Sequence, residues 1–205
     1  MRYLLLSSVT LLLAACANEY KSMEAATGDP RCVEKFRPAF TRQLYKASVQ
    51  VTGKDLSGLL LIKVMEDSTT RLVFSTETGI KFFDFSFGGP DGFKVFYVMK
   101  QLDKKAVVNA LRNDFELLLM RWVEAGNGSV STMAGKWYHG FSKGSKTSYY
   151  LTDSICSVFH HAELASRRKI LVTANLYAVN EGVPDSMFIQ HNNFNFNISL
   201  KKLER

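Results

Sequence analysis

Three groupings in this chain have residue types and spacing that chemistry can use. Gly140-Phe141-Ser142-Lys143-Gly144 fits the G-x-S-x-G pattern of a hydrolase nucleophile. Such a serine needs a strand, a sharp turn and a supporting helix. The residues that follow, Ser145-Lys146-Thr147-Ser148-Tyr149-Tyr150, read as another strand, so a polar hairpin turn is expected instead. Gly144-Ser145-Lys146-Thr147 only echoes a phosphate loop, which requires Gly directly before Lys and a helix after it. His160-His161 is the third grouping. Adjacent residues on a strand face opposite ways, so the two rings cannot readily hold one ion. His161 has Glu163 within reach, but spacing places no nucleophile beside it. The histidines at 139, 160, 161 and 191 are dispersed and no paired-cysteine spacing exists, so no metal centre is expected. The expectation is a protein that is not an enzyme and carries no cofactor.

Cys16 offers more specific chemistry. It ends the run Leu13-Ala14-Ala15-Cys16, behind Arg2 and an apolar stretch that starts at Tyr3. A basic start, a short apolar core and small residues before a cleavage point describe an export signal. The stretch is shorter than the roughly 20 residues a spanning helix needs. Leu-Ala-Ala-Cys resembles the lipobox of bacterial lipoproteins, in which the signal is cut before Cys and the thiol is acylated. The alternative is an ordinary cleaved signal with an incidental cysteine. On the lipobox reading residues 1–15 are removed and several acyl chains anchor the protein firmly. Such lipoproteins commonly use Asp after the Cys for inner-membrane retention. This chain has Ala17, so the resemblance implies the outer membrane of a two-membrane bacterium, facing the periplasm.

Residues 17–29 are mostly polar or small and read as a tether. With Cys16 they give a lipidated, flexible segment 16–30, followed by a single domain at 31–205, expected as a monomer. The composition, 46% hydrophobic and 12% aromatic, supports a packed core and excludes wholesale disorder. The net charge of +7 falls to +6 without Arg2. Export takes nucleic acid off the list of expected partners and leaves anionic lipid head groups or acidic proteins. The basic residues (Lys104-Lys105, Arg167-Arg168-Lys169, Lys201-Lys202) are scattered in sequence and read as solvated surface. With Cys16 acylated, Cys32 and Cys156 remain. They either form a disulfide in an oxidising envelope or stay as two buried thiols.

Two-residue alternation begins near residue 42. Five runs separated by turn signals, up to Met99, predict an antiparallel meander. The period then changes. Asp103 is placed to cap a helix with Val107, Leu111, Phe115, Leu118 and Trp122 on one face, stopped by Gly126-Asn127-Gly128. Strands resume at Lys136–Phe141, Thr147–Leu151, Ile155–His161, Lys169–Val179 and Phe194–Leu200. The predicted fold is mainly β (α+β). It is a strongly curved antiparallel sheet, or unclosed barrel, of about ten strands with a long helix as lid. The alternating phenylalanines have two readings: they fill the core, or they leave an apolar concavity for an acyl chain.

This layout resembles the LolA/LolB lipoprotein-localisation superfamily over roughly residues 36–203. The likeness rests on architecture and on the stretch Gly58-Leu59-Leu60-Leu61-Ile62-Lys63 followed by Arg71 to Phe85. The resemblance implies an unclosed barrel with a helical lid over a hydrophobic cavity that carries lipoprotein acyl chains. Cys16 favours the branch formed by the outer-membrane receptor, which receives cargo from a periplasmic carrier. Candidate cavity residues are Leu60, Ile62, Phe74, Phe83, Phe85, Val95 and Tyr97 on the sheet, facing Leu111, Phe115 and Leu118 on the helix. A one-residue error in strand phase would exchange the two faces. Ile80, in the turn Glu77-Thr78-Gly79-Ile80, matches the apolar residue of the receptor's membrane-insertion loop. The implied function is non-catalytic delivery of acylated cargo to the outer membrane. The competing function is a structural or assembly lipoprotein that docks an outer-membrane complex and holds no ligand.

Overall fold

A computed structural model describes residues 18–51, 53–125 and 127–203. Cys16 and the signal segment lie outside the described residues. Among the described residues thirteen strands form one antiparallel sheet: β1 (Glu24–Ala25), β2 (Arg42–Val51), β3 (Lys54–Val64), β4 (Thr70–Ser75), β5 (Lys81–Phe87), β6 (Phe93–Val98), β7 (Gly128–Met133), β8 (Lys136–Lys143), β9 (Lys146–Thr152), β10 (Phe159–Ala165), β11 (Ile170–Asn180), β12 (Val183–His191) and β13 (Phe196–Lys202). Their order is β1-β7-β8-β9-β10-β11-β12-β13-β2-β3-β4-β5-β6, so two edges remain and the curved sheet does not close.

The meander at 42–98 follows the sequence pattern. Tyr45, Ala47 and Val49 of β2 alternate with exposed neighbours, and Leu60, Ile62, Leu72 and Phe74 continue the same inner face. Gly58 lets the coil tighten: a Cβ there would sit 2.0 Å from the Ser75 carbonyl oxygen.

The expected strand count of about ten is corrected to thirteen by β1, β7 and β12. β7 is Gly-Ser-Val-Ser-Thr-Met, too small and polar to show alternation. β12 carries Pro184-Asp185, which reads as a loop. Pro184 nevertheless sits near the strand start, where a missing N–H costs little. The strand predicted from Ile155 begins instead at Phe159, because Cys156 takes a left-handed conformation with φ of 56°.

The helix is also corrected. α1 spans Lys105–Leu118 and is broken at Met120 (φ 53°), so Trp122 belongs to a separate short helix, α2 (Arg121–Ala125). Lys104, not Asp103, occupies the N-cap position, and no side chain caps it. α1 lies across the inner face and buries Leu111, Phe115, Leu117 and Leu118. Glu116 is buried with them at the α1–α2 corner, where the Trp122 indole N–H (2.6 Å) and Arg112 (2.8 Å) donate to its carboxylate.

The tether expected at 16–30 is corrected from residue 18 onward. Glu19 donates its N–H to the Arg168 carbonyl (2.9 Å) and accepts from the Ile170 N–H. Tyr20 packs against Tyr138 and Tyr149, and its hydroxyl donates to Glu163 (2.8 Å). β1 then pairs with β7. A tyrosine and a carboxylate inside an otherwise polar stretch dock it along the sheet.

Candidate functional site

Every strand pair is antiparallel, so the turns alternate between the two ends of the sheet. One end carries Gly53, the turns at 76–80, 144–145, 166–169 and 192–195, and the start of α1. At this end the helix and the sheet part to form a groove of about 730 Å³. That size falls within the usual range of small-molecule sites, roughly 300–1,000 Å³. Its walls are Val51 and Leu56 of the β2–β3 hairpin, Phe82, Leu164, Leu171 and Val172 of the sheet, and Met99, Leu102, Val107 and Ala110 on the helix side. The rim is polar: Gln101, Lys104, Asn109, Asn113, Lys146 and Asn193. No carboxylate lines it among the described residues.

Beyond the groove the space closes. Leu60, Ile62, Phe74, Phe83, Phe85, Leu111, Phe115 and Leu118 are the core itself, each at most 3% exposed. Phe83 stacks on Phe85 (4.5 Å between centroids) and packs against Phe115 (6.0 Å). Phe74, Phe83 and Leu111 border a void of about 10 Å³, room for no more than about one water molecule and far too small for an acyl chain. The residues expected to line an open cavity therefore fill the interior between helix and sheet, and none of them lines the groove.

Val95 and Tyr97 are likewise displaced. β6 is an edge strand, and both residues are exposed, at 41% and 44%. A bulge at Phe96 shifts the phase, so Val95 pairs with Phe85 whereas Tyr97 pairs with Asp84 on the other face. On that face Arg71 grips Asp84 with two hydrogen bonds (2.8 and 2.9 Å) and Lys81 adds a third at 3.2 Å. Burial alone would raise the Asp84 pKa, but these cations outweigh it and hold the carboxyl below its ordinary value.

Ile80 is 60% exposed at the tip of the β4–β5 hairpin, outside the strand that begins at Lys81. That tip projects from the groove end of the sheet.

The groove floor holds a polar pair that sequence reasoning missed. His191, at the end of β12, places Nε2 2.9 Å from Oδ1 and 3.0 Å from Oδ2 of Asp114 on α1, and both side chains are buried. Burial raises the Asp114 pKa, opposed by the hydrogen bond and charge of His191. The periodicity of α1 offered the only signal, since Asp114 interrupts its apolar face. The buried Ser148 does not complete a triad with this pair. Ser148, Leu164, Val172 and His191 are successive partners across four strands, which sets Ser148 about 14 Å from His191.

The remaining motifs have structural partners. Ser142 Oγ lies 3.0 Å from Thr147 Oγ1 across the β8–β9 hairpin, with no helix behind it. His161 Nε2 is 3.0 Å from Glu163, the carboxylate that also holds Tyr20. At the opposite end Cys32 and Cys156 form a disulfide. His139 lies against it, with Nδ1 3.7 Å from Cys32 Sγ. This trio is the one cluster of metal-ligating residue types among the described residues. A bonded sulfur is not a thiolate donor, so the cluster is a disulfide with a buried imidazole packed on it. Desolvation lowers the His139 pKa and keeps the ring neutral.

No family model matches this sequence, and no curated protein matches it. Among solved structures, a DUF1329 family protein from Desulfovibrio piger aligns with 85% of this chain and 89% of its own, at 8% identity and a TM-score of 0.44. A provisionally named outer membrane lipoprotein-sorting protein domain from Vibrio parahaemolyticus aligns with 83% of this chain and 87% of its own, at 7% identity and a TM-score of 0.43. Both likenesses are too distant to bear on function.

Proposed function

We propose that this chain is a lipid-anchored outer-membrane protein of the LolA/LolB kind. On this reading it receives acylated cargo in its end groove and passes the acyl chains to the adjacent bilayer. The observation that carries the reading is the apolar groove between α1 and the sheet, open at one end and sealed by the phenylalanine core behind it. The Leu-Ala-Ala-Cys16 run supplies the anchor, and exposed Ile80 at the groove end supports the receptor branch. Transfer needs no nucleotide when affinity for the acyl chain rises from carrier to groove to bilayer. Apart from acylation of Cys16, no covalent step is assigned to any residue.

Native mass spectrometry of residues 18–205 with a triacylated lipopeptide tests the reading. A saturable one-to-one adduct is expected. Absence of any adduct at high lipopeptide concentration overturns it. A docking lipoprotein without ligand is the second reading, favoured by the edge strand β6, which leaves Val95, Phe96 and Tyr97 between 41% and 50% exposed.

A further inference from the structure

Charge in this protein is scattered along the sequence, but the turns between strands are sorted by sign. The turns joining neighbouring strands at the end away from the groove hold Glu66, Asp67, Asp91, Asp153 and Glu181, and no basic residue. The 3₁₀ turn pinned beside these acidic turns adds Arg31, Lys35 and Arg37, of which Arg31 and Arg37 are ion-paired. At the groove end the strand turns hold Arg167, Arg168 and Lys169 against a lone Glu77. The approach to α1 adds Lys100, Lys104 and Lys105 there, against Asp103. All six of these basic side chains are exposed. None has an ion-pair partner among the described residues. The acids at that end, Glu19, Asp55, Glu77 and Asp103, are fewer than these six basic residues and do not neutralise it.

Two further observations fall at the same end. The described chain enters the fold there, where Glu19 is bound by the 166–169 turn between β10 and β11. Cys16 precedes Asn18 by two positions, a separation of at most about 7 Å in any conformation. Two exposed apolar side chains also lie at this end, Ile80 (60%) on one hairpin and Phe194 (41%) on the groove rim, whereas the far end exposes Ile155 and Val158 beside acidic Asp153.

We propose that the groove end is a docking face for an anionic phospholipid bilayer, which turns the mouth of the groove toward the membrane. Basic side chains at the surface would meet lipid phosphates, and Ile80 and Phe194 would enter the head-group layer. Each Lys or Arg at such a surface strengthens association about five-fold at physiological salt. A chain held only by an anchor on a loose tether would sample all orientations; the docked segment at 18–29 and the sorted charge select one. The orientation rests on the anchor reading of Cys16, whereas the charge preference does not.

The test uses the full chain with phosphatidylcholine vesicles and with vesicles in which about a third of the lipid is phosphatidylglycerol, a range set by surface potential. Co-flotation and amide hydrogen exchange are both read. The expected result is slowed exchange at 76–80 and 166–169 on anionic vesicles only. The turns at 66–69, 88–92 and 181–182 should be unchanged. Protection should fade in 1 M salt, where the screening length is about 3 Å. The triple reversal R167E/R168E/K169E should remove the protection, and K104E/K105E, on a different element, should weaken it. Unchanged exchange in the core strands checks that each variant is folded. Equal protection on neutral vesicles, protection at the acidic end, or none on floated protein overturns the docking face and leaves the anchor standing. Failure to float with either vesicle type overturns the anchor reading as well.

Discussion

Asp114 of α1 and His191 of β12 join the helix to the sheet at the groove floor, with 2.9 Å between His191 Nε2 and the nearer carboxylate oxygen. With the Tyr150 hydroxyl donating to the Leu117 carbonyl (3.1 Å) and Lys143 reaching Glu116 (3.3 Å), this pair helps fix where α1 sits along the sheet. Asp114→Ala would leave a buried imidazole without its partner and should cost about 3 kcal/mol in chemical denaturation. Asp114→Asn keeps a hydrogen-bonding group and should recover most of that loss. Because burial raises the Asp114 pKa, its contribution is fully present below the ordinary value near 3.8 and declines as pH rises through the folded value. The asparagine variant cannot ionise. Its stability should therefore vary less than that of the wild type as pH rises above the ordinary aspartate value, and identical slopes would refute the assignment.

Glu116 has the opposite sign. Burial raises its pKa, but the Trp122 indole N–H (2.6 Å) and Arg112 (2.8 Å) outweigh this and hold it below the ordinary value. Its stabilisation is present above the ordinary glutamate pKa and is lost as pH falls through the folded one. Glu116→Gln should cost about 2 kcal/mol at neutral pH. The difference from wild type should persist through the ordinary glutamate value and close only at lower pH, as read from thermal midpoints across pH.

Core and groove should respond differently to substitution. Phe115 is 2% exposed and packs on Phe83 and Phe87, so Phe115→Ala should cost about 3–5 kcal/mol whether or not a ligand binds. Ala110 lines the groove and is half-buried. Ala110→Trp should lower lipopeptide affinity by about ten-fold with a stability change within about 1 kcal/mol. Unaltered binding by that variant, measured by titration, would place the acyl site elsewhere.

The disulfide closes a loop of 124 residues and pins the 3₁₀ turn at Pro30–Phe36 onto the β9–β10 connection. Chain entropy assigns such a link about 4–5 kcal/mol. Denaturation with and without reductant should show a loss of that order. Cys32→Ser should reproduce it without added reductant.

Ile80 touches solvent over most of its surface, so Ile80→Asp should change stability by less than about 0.5 kcal/mol. On the receptor reading it should slow delivery of labelled lipopeptide to vesicles while leaving uptake into the groove intact.

The sequence alone determined what is local. Alternation in β2 to β6, the change of period at α1 and the Cys16 motif depend on neighbours a few residues apart. The same local logic assigned Leu60, Ile62, Phe74 and Phe115 to the inner surface. It did not reveal β7, whose residues are small and polar, or β12, whose Pro184-Asp185 reads as a loop; both are strands because they pair with β8 and with β11 and β13. It also read 18–29 as a tether, since Tyr20 finds Tyr138 and Glu163 only after folding. Whether the inner surface is filled or hollow depends on how far α1 stands from the sheet, a distance to which contacts far apart in sequence contribute, such as Asp114 with His191, 77 residues on, and Leu117 with Tyr150. The bulge at Phe96 reversed the face of Tyr97, a one-residue event that periodicity cannot register. The sorting of charge to the two ends is likewise tertiary: an antiparallel sheet sends alternate turns to opposite ends, and only the strand count decides which turn goes where.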